Sequence, residues 1–180
     1  MSSPLRIAVA KANLATATRL AELGRQTFAE TFAVSNTPAD MAAYLAETYS
    51  PELQLAQLQD PAVTFLLAEM QGQAVGYAQL AQHSALGLPT GKVAPQLEIK
   101  QLYILEDWIG TGLGGSLMRR TIELAQAASC TALVLGVWEH NERAKAFYQR
   151  FGFKEIGEHE FRLGQDVQRD LILRRGLAGR

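Results

Sequence analysis

The stretch that decides the fold is LEIKQLYILEDWIGTGLGGSLMRR, residues 97–120. Its first part, residues 97–104, is rich in apolar, β-branched and aromatic side chains, which predicts a buried strand. Four of the six residues 110–115 are glycines. Apolar side chains then recur at helical spacing over residues 113–125. The stretch therefore predicts a strand, a short turn, a glycine-rich loop and a helix that begins within that loop.

A glycine-rich loop at the start of a helix is suited to bind an anion. Glycines allow the backbone to approach a ligand closely, and a helix N-terminus offers unpaired N–H groups at the positive end of its dipole. Phosphate groups are the usual occupants of such sites. We therefore expect a phosphorylated small molecule here. A glycine-rich helix start without a ligand is less favoured, because glycines weaken a helix.

Length and composition limit the classes of function. The chain has 180 residues, 48% hydrophobic and 19% charged, so we expect one ordered domain over residues 1–180. A net charge of −1 argues against nucleic acid as a partner. The single cysteine, Cys130, excludes an intrachain disulfide. No apolar run reaches the roughly 18 residues of a membrane span, and no secretory signal is recognised, so we expect a cytoplasmic protein.

The rest of the chain predicts a mixed α/β architecture around this stretch. Further strands are predicted at residues 5–10, 63–69, 74–81, 131–138, 154–163 and 167–173. Further helices are predicted at residues 14–33, 37–48, 51–59 and 141–150. The first of these helices is either continuous or broken at Gly24. Residues 82–95, with two glycines and two prolines, are predicted to form a loop.

The glycine loop also fits a second, less favoured interpretation. Gly110-x-Gly112-x-x-Gly115 has the spacing of a dinucleotide-binding fingerprint, with Glu139 at a suitable distance for the acidic residue. Against this, residues 106–109 separate the loop from its strand. In addition, only one strand–helix unit follows before the closing hairpin. A nicotinamide enzyme therefore stays the weakest of the open alternatives.

Two stretches resemble the GCN5-related N-acetyltransferases, the GNAT family. LEIKQLYILEDWIGTGLGGSLM is similar to their coenzyme-A-binding segment, and GVWEHNERAKAFYQRFGF is similar to their second motif. The resemblance covers essentially the whole chain. It implies the GNAT fold of class α/β, an α+β mixed sheet. That sheet has about six to seven mostly antiparallel twisted strands, is splayed at its middle and is flanked by about four helices.

A narrower resemblance concerns the acceptor. Phe28-x-x-Thr31-Phe32, and Leu163-Gly164-Gln165-Asp166 with Asp170, resemble the PaiA-type spermidine/spermine N-acetyltransferases. This implies a polyamine as the first acceptor to consider.

The family resemblance implies acetyl-CoA as the co-substrate and assigns a binding site to it. The pantetheine arm is expected along Leu102, Tyr103 and Ile104, where a backbone N–H would polarise the thioester carbonyl. The pyrophosphate is expected at Gly110, Thr111, Gly112, Leu113, Gly114 and Gly115. Further coenzyme contacts are expected from Asn141, Ala144 and Tyr148. The chain departs from the family pattern at Ile109, where Arg or Gln usually supplies a polar contact near the pyrophosphate.

Two residues are candidates for proton transfer. The resemblance implies that Tyr148 is the general acid for the leaving thiolate, since a phenol with a pKa near 10 is protonated at neutral pH. Without the resemblance, a packing role beside Phe147 and Phe151 would be favoured. Glu98, on the strand where family members often carry an acid, is the candidate general base. Its alternative is an exposed strand position. Weaker candidates for an acidic lining are Glu30, Asp40, Glu47 and Glu139.

These observations predict an N-acetyltransferase that moves the acetyl group of acetyl-CoA to a primary amine by direct transfer in a ternary complex. The amine is expected to be a polyamine or another small amine. Two alternatives stay open: a protein or peptide N-acetyltransferase, and a non-catalytic acyl-CoA-binding sensor. No metal site is expected, because His83, His140 and His159 lack the spacing of metal ligands. Whether the protein forms a homodimer is left open.

Overall fold

The computed structural model describes residues 4–178 of the chain. Its strands are β1 Arg6–Val9, β2 Val63–Met70, β3 Gln73–Gln82, β4 Gln96–Ile104, β5 Ala132–Trp138, β6 Lys154–Leu163 and β7 Asp166–Gly176. Within this range they form one sheet in the order β1-β2-β3-β4-β5-β7-β6. Neighbouring strands are antiparallel, except that β4 and β5 are parallel. The expected fold class, a mostly antiparallel sheet of six to seven strands, is confirmed.

Five α-helices accompany the sheet in the described range, at the five places predicted from the sequence pattern, whereas the family resemblance implied about four. They are α1 Leu14–Phe32, α2 Pro38–Thr48, α3 Pro51–Gln59, α4 Leu113–Ala127 and α5 Glu142–Arg150. Pro51 begins α3 as a separate helix directly after α2. Short 3₁₀ turns follow α1 at Ala33–Ser35 and β4 at Glu106–Trp108. None of the described helices is both long enough and apolar enough to cross a membrane.

Side-chain caps fix where four of the helices begin. Asn13, Thr37, Ser50 and Asn141 each accept a hydrogen bond from the backbone N–H three residues further along the chain. Each such cap contributes about 1 kcal/mol to stability. The caps explain why local sequence signals located these helix starts. α4 differs, because its cap residue, Gly112, has no side chain to offer.

Gly24 does not break α1. The helix runs continuously through it, and a Cβ at this position would collide with the ring of Tyr49. The next residue, Arg25, donates a hydrogen bond of 2.7 Å from its Nε to the carbonyl oxygen of Tyr49. The absence of a side chain at Gly24 therefore lets the chain after α2 pack closely against α1.

The sheet splays at its middle, as expected. β4 and β5 pair only over Gln96–Glu98 and Ala132–Val134, after which the two strands separate. The pairing of β4 with β3 also shifts register, leaving Lys100 as an extra residue between Ile99 and Gln101. Past Glu98 the β5 side of β4 therefore has no strand partner, which creates the cleft described below.

Two hydrophobic clusters support this cleft. The larger one packs α1 and α4 against β2–β5 and includes the fully buried Leu117, Met118 and Leu133. The smaller one joins α1 and α2 to β6 through the residues Phe28, Phe32, Met41, Tyr49 and Leu163. Between them, the clusters hold the glycine loop on one side of the cleft and α1–α2 on the other.

Candidate active site

A cavity of about 640 Å³ lies where β4 and β5 separate. One group of lining residues comes from β4, the glycine loop and α5. A second group, largely aromatic, comes from α1, α2, the end of β5 and the β6–β7 hairpin. The cavity therefore connects the glycine loop to an apolar compartment.

Most of the predicted coenzyme residues line this cavity: Leu102, Tyr103, Ile104, Gly110, Gly112, Gly114, Gly115, Asn141, Ala144 and Tyr148. Thr111 and Leu113 do not, and their predicted contacts with the coenzyme, which would use backbone N–H groups, stay a prediction. Leu113 is 3% exposed and packs in the larger core. The Thr111 hydroxyl instead donates a hydrogen bond of 2.7 Å to the carbonyl oxygen of Trp108. These two side chains therefore contact the protein interior and the turn before the loop rather than the cavity.

The glycine loop has the backbone geometry of an anion site. Gly110 and Gly112 have φ values of 83° and 90°, in the left-handed region that favours glycine. No side chain caps α4 at Gly112, so the first-turn N–H groups are free to meet a ligand. A Cβ on Gly114 would lie 3.2 Å from Ile104 and 3.3 Å from Phe147, which shows how closely the loop packs. The loop thus presents N–H donors and the positive end of a helix dipole to the cavity.

Ile109 borders the same loop and is 38% exposed. Three arginines provide positive charge around the cavity and the first turn of α4. Arg143 and Arg150 line the cavity from α5. Arg119 Nη1 lies 3.2 Å from the position of a Cβ on Gly115, and Arg119 Nη2 donates to Ser116 Oγ at 3.1 Å. The i, i+7 spacing of Arg143 and Arg150 places them on one helical face, a signal that sequence reasoning missed.

Tyr148 combines a packed ring with a hydroxyl that no other group in residues 4–178 engages. The residue is 8% exposed and lines the cavity. Its ring stands edge-on to Phe147 and Phe153 at centroid distances of 5.3 Å and 5.5 Å. Burial raises the pKa of Tyr148 above the usual phenol value. The ring therefore packs in the core while the protonated hydroxyl stays free to donate a hydrogen bond. The packing role and the general-acid role suggested by the sequence are therefore compatible.

Glu98 does not line the cavity. Ser84 Oγ donates to its carboxylate at 2.6 Å, and Lys100 Nζ lies 3.4 Å from it. It belongs to the stretch of β4 that still pairs with β5, before the two strands separate. The geometry therefore gives no support to Glu98 as a general base in this cleft.

The weaker acidic candidates also lie outside the cavity lining. A Glu30 oxygen accepts the backbone N–H of Glu106 at 2.9 Å. An Asp40 oxygen accepts the N–H of Gln165 at 2.8 Å, which ties α2 to the β6–β7 hairpin. Glu139 pairs with Arg169 at 2.6 Å. These contacts are structural, and of the four candidates Glu139 alone lines the second cavity described below.

Among the described residues that line the cavity, Asp170 is the one with a carboxylate. It is 9% exposed, and its Oδ1 atom is buried without a hydrogen-bond partner in the described chain. Burial raises the pKa of Asp170 above its usual value, and the charge of a protonated His159 opposes that shift. In the sequence Asp170 was noticed only through the narrower resemblance, because its burial depends on strands distant along the chain.

Aromatic rings surround the Asp170 side of the cavity. Phe32 and Trp138 stand edge-on at 6.1 Å, and Tyr44 and Phe161 at 5.7 Å. All four line the cavity. This compartment suits an apolar or cationic group, because aromatic faces attract both.

A second cavity, of about 690 Å³, opens beside the first. It is lined by Ser35, Trp138, Glu139, His140, Glu158, His159, Glu160, Asp166, Val167, Gln168 and Arg169. Arg169 bridges Glu139 and Glu158 at 2.6 Å and 2.9 Å. Over residues 4–178, no group of three or more His, Cys, Asp and Glu side chains is arranged to hold a metal ion.

The fold is similar to that of solved N-acetyltransferase structures. The crystal structure of PaiA N-acetyltransferase from Thermoplasma acidophilum, in complex with coenzyme A, matches with a TM-score of 0.76 over 97% of this chain and all of that one. Its sequence is only 17% identical. This likeness therefore establishes the fold, which is shared by N-acetyltransferases.

The sequence comparisons identify the family. An uncharacterized N-acetyltransferase in the pepI 3' region of Lactobacillus delbrueckii subsp. lactis is 36% identical over 86% of this chain and 88% of its own length. The spermine/spermidine N(1)-acetyltransferase of Bacillus subtilis is 36% identical over 35% of this chain and 42% of its own length. Residues 26–153 match the model of the acetyltransferase (GNAT) family. This decides against the nicotinamide interpretation: the chain belongs to the GNAT family of acetyltransferases.

Proposed function

We propose that this acetyltransferase moves the acetyl group of acetyl-CoA directly to a primary amine of a small molecule, with polyamines as the first class to test. The observation that carries the proposal is the single cavity that joins the glycine loop to the aromatic compartment, with Tyr148 and Asp170 in its lining. A shared cavity allows both substrates to be bound at the moment of transfer. We further infer that residues 1–180 form one acetyltransferase domain, which the continuous sheet supports.

The glycine loop and the α5 arginines would hold the coenzyme phosphates. The free N–H groups at the start of α4 supply directed donors and a favourable dipole. Arg143 and Arg150 add positive charge from the other wall of the cavity. The likeness to a GNAT-fold protein crystallised with coenzyme A supports this assignment. Ile109 contributes no polar group, so the backbone and the arginines carry the interaction with phosphate.

The free side of β4 would hold the pantetheine arm and the thioester. After Glu98 this strand has no partner on its β5 side, so backbone groups at Leu102–Ile104 are available to the ligand. An N–H there would stabilise the negative charge that develops on the thioester oxygen when the amine attacks. Such a donor lowers the barrier because it is already in position. Asn141 would mainly fix the start of α5, since its side chain caps that helix.

Tyr148 would protonate the leaving thiolate. The amine nitrogen attacks the carbonyl carbon, the carbon–sulfur bond breaks, and the sulfur takes the phenolic proton. The raised pKa of Tyr148 keeps the hydroxyl protonated until the thiolate forms. The proton that leaves the nitrogen as the amide forms restores the tyrosine.

A small amine acceptor is supported by the size of the site and by a relative. The aromatic compartment is enclosed by α2 and the β6–β7 hairpin, which are joined through Asp40 and the N–H of Gln165. The partial match to a spermine/spermidine N(1)-acetyltransferase supports testing polyamines first.

An acceptor screen tests this function. Thiol release from acetyl-CoA would be measured with polyamines, monoamines, amino-acid amides and peptides with free N-termini or lysines. We expect a small amine to accelerate release and a polyamine to give the highest kcat/KM. Acceleration by peptides alone would refute the small-amine assignment. Tight acetyl-CoA binding with no release across the whole panel would instead support an acyl-CoA sensor.

A further inference from the structure

We propose that Asp170 receives the acceptor: its carboxylate pairs with the ammonium group among the rings of Phe32, Tyr44, Trp138 and Phe161 and then takes a proton from it. This inference rests on the proposed function, because it assigns the acceptor end of the same cavity. It assigns the general-base role, first considered for Glu98 on β4, to Asp170 on β7.

The position of Asp170 is the first argument. It lies on β7 directly between Trp138 of β5 and His159 of β6, its partners in the two strand ladders. It is 9% exposed and lines the cavity, yet its Oδ1 atom has no hydrogen-bond partner within residues 4–178. A buried carboxylate without a partner destabilises a fold. A bound ammonium group, with its three N–H donors, would supply the missing partner.

The charge distribution in the cavity is the second argument. The other charged side chains of the described lining are Lys100, Arg143 and Arg150, all positive. Phosphates would therefore be drawn to the arginine side, and an ammonium group to Asp170. The charge distribution therefore favours the anionic coenzyme at one end of the cavity and the cationic amine at the other.

The aromatic rings are the third argument. Phe32, Tyr44, Trp138 and Phe161 line the same compartment, with ring centroids 5.7–6.1 Å apart within each pair. Aromatic faces attract a cation and also pack against the carbon chain of an amine. They exclude water as well, which strengthens the pairing of ammonium and carboxylate. The compartment therefore fits a primary alkylammonium ion.

The surroundings of Asp170 are suited to proton transfer. Burial raises its pKa, which makes it a stronger base than an exposed carboxylate. The titratable groups that face it are His159 from β6, Tyr44 from α2 and Tyr103 from β4. From β5, Gly136 leaves space: a Cβ there would lie 2.7 Å from His159 Nε2 and 3.4 Å from Asp170 Oδ2.

The proton balance is complete with these residues. An amine with a pKa of about 10.4 is neutral in only roughly one molecule in 10³ at pH 7. Asp170 takes the first proton from R–NH₃⁺, and the neutral nitrogen then attacks the thioester carbonyl. Tyr148 protonates the thiolate and recovers a proton from the nitrogen as the amide forms. Asp170 releases its proton to water, so each turnover yields the amide, free coenzyme A and one proton.

The test compares D170N with D166N, the same change at an exposed position of the same strand. Acetyl-CoA binding and kcat/KM for the best amine would be measured across pH. We expect D170N to bind acetyl-CoA as wild type does and to lose at least about 100-fold in kcat/KM at pH 7. Its activity should then rise about tenfold per pH unit, because the free amine alone reacts. D166N should behave as wild type.

Several outcomes would overturn the proposal. D170N within about tenfold of wild type, or a D170N pH profile parallel to the wild-type profile, would show that Asp170 takes no proton. If D170N does not fold, D170E serves instead. The D170E pH profile must keep the part that depends on the general base, shifted along the pH axis relative to the wild-type profile. A D170E profile in which this part is not shifted would reject the role of Asp170. Failure of the wild-type protein to acetylate any amine would refute the proposed function itself, which is a separate result.

Discussion

Replacing Tyr148 by phenylalanine separates catalysis from packing more cleanly than any other change in this chain. The substitution removes one hydroxyl and leaves the ring, whose contacts with Phe147 and Phe153 are at 5.3 Å and 5.5 Å. No hydrogen bond is lost within residues 4–178. We therefore expect the free energy of unfolding to change by less than about 1 kcal/mol.

Turnover should respond very differently. A positioned general acid typically contributes about 10²–10⁴-fold to rate, equal to about 3–5 kcal/mol of transition-state stabilisation. Y148F should therefore lower kcat by at least about 100-fold while the Kd for acetyl-CoA changes little. Stopped-flow detection of thiol release, with coenzyme binding measured by calorimetry, gives both quantities.

Y77F provides the matched control. Tyr77 lies outside the cavity lining, and its hydroxyl donates a partly buried hydrogen bond of 2.8 Å to Gln101. Its loss should reduce stability by about 1–3 kcal/mol while kcat stays within a few-fold of wild type. Equal kcat values for Y148F and wild type would refute the assignment of Tyr148. A stability loss as large in Y148F as in Y77F would show that its hydroxyl is structural.

Three further predictions concern coenzyme affinity, packing and pH. I109R should lower the Kd for acetyl-CoA by up to about tenfold at low salt. The control I156R, at an exposed position on β6, should leave this Kd unchanged. Equal effects of the two substitutions would contradict a phosphate site at the loop. G24A should cost about 1–3 kcal/mol, measured by denaturant unfolding, because the new methyl group collides with Tyr49. Burial holds the folded pKa of Asp170 above its unfolded value of 3.8, so its ionisation destabilises the fold as pH rises through that value. D170N should therefore raise the Tm at pH 7 but not near pH 3, and an unchanged Tm at pH 7 would contradict the buried charge.

The features of the fold that depend on local signals were predictable from the sequence. The starts of α1, α2 and α3 were predicted close to their positions in the structure, where Asn13, Thr37 and Ser50 cap the helices, because an N-cap needs only the next three residues. The glycine loop was recognised for the same reason: left-handed backbone at Gly110 and Gly112 requires residues without a side chain. Its place in a cleft followed from the family resemblance.

Features that depend on contacts between distant segments were not predictable in this way. Whether the first helix breaks at Gly24 was left open, since nothing nearby in sequence reveals that the ring of Tyr49 packs against it. Glu98 was named as the candidate base and Asp170 only for the narrower resemblance, yet Asp170 lines the cavity and Glu98 does not. Their positions depend on where β4 leaves β5 and on the pairing of β7 with β5, which single-sequence patterns do not specify.

The α5 arginines illustrate a signal that was present but not used. Arg143 and Arg150 share a helical face, and α5 also contributes Tyr148 to the same cavity. Their relevance became clear only when α5 was seen opposite the glycine loop. Because Ile109 lacks a polar side chain, positive charge from α5 is the feature that makes a phosphate site here electrostatically reasonable.

The central claim, direct acetyl transfer from acetyl-CoA to a small amine, is tested most directly by mass spectrometry with isotopically labelled acetyl-CoA. The wild-type protein would be quenched during turnover with the best amine of the screen, and the amine, the thiol and the intact protein would be analysed together. We predict one labelled amide for each thiol released and no label on the protein. Labelled protein that forms and then decays in step with the amide, or thiol released without an acetylated amine, would contradict the account.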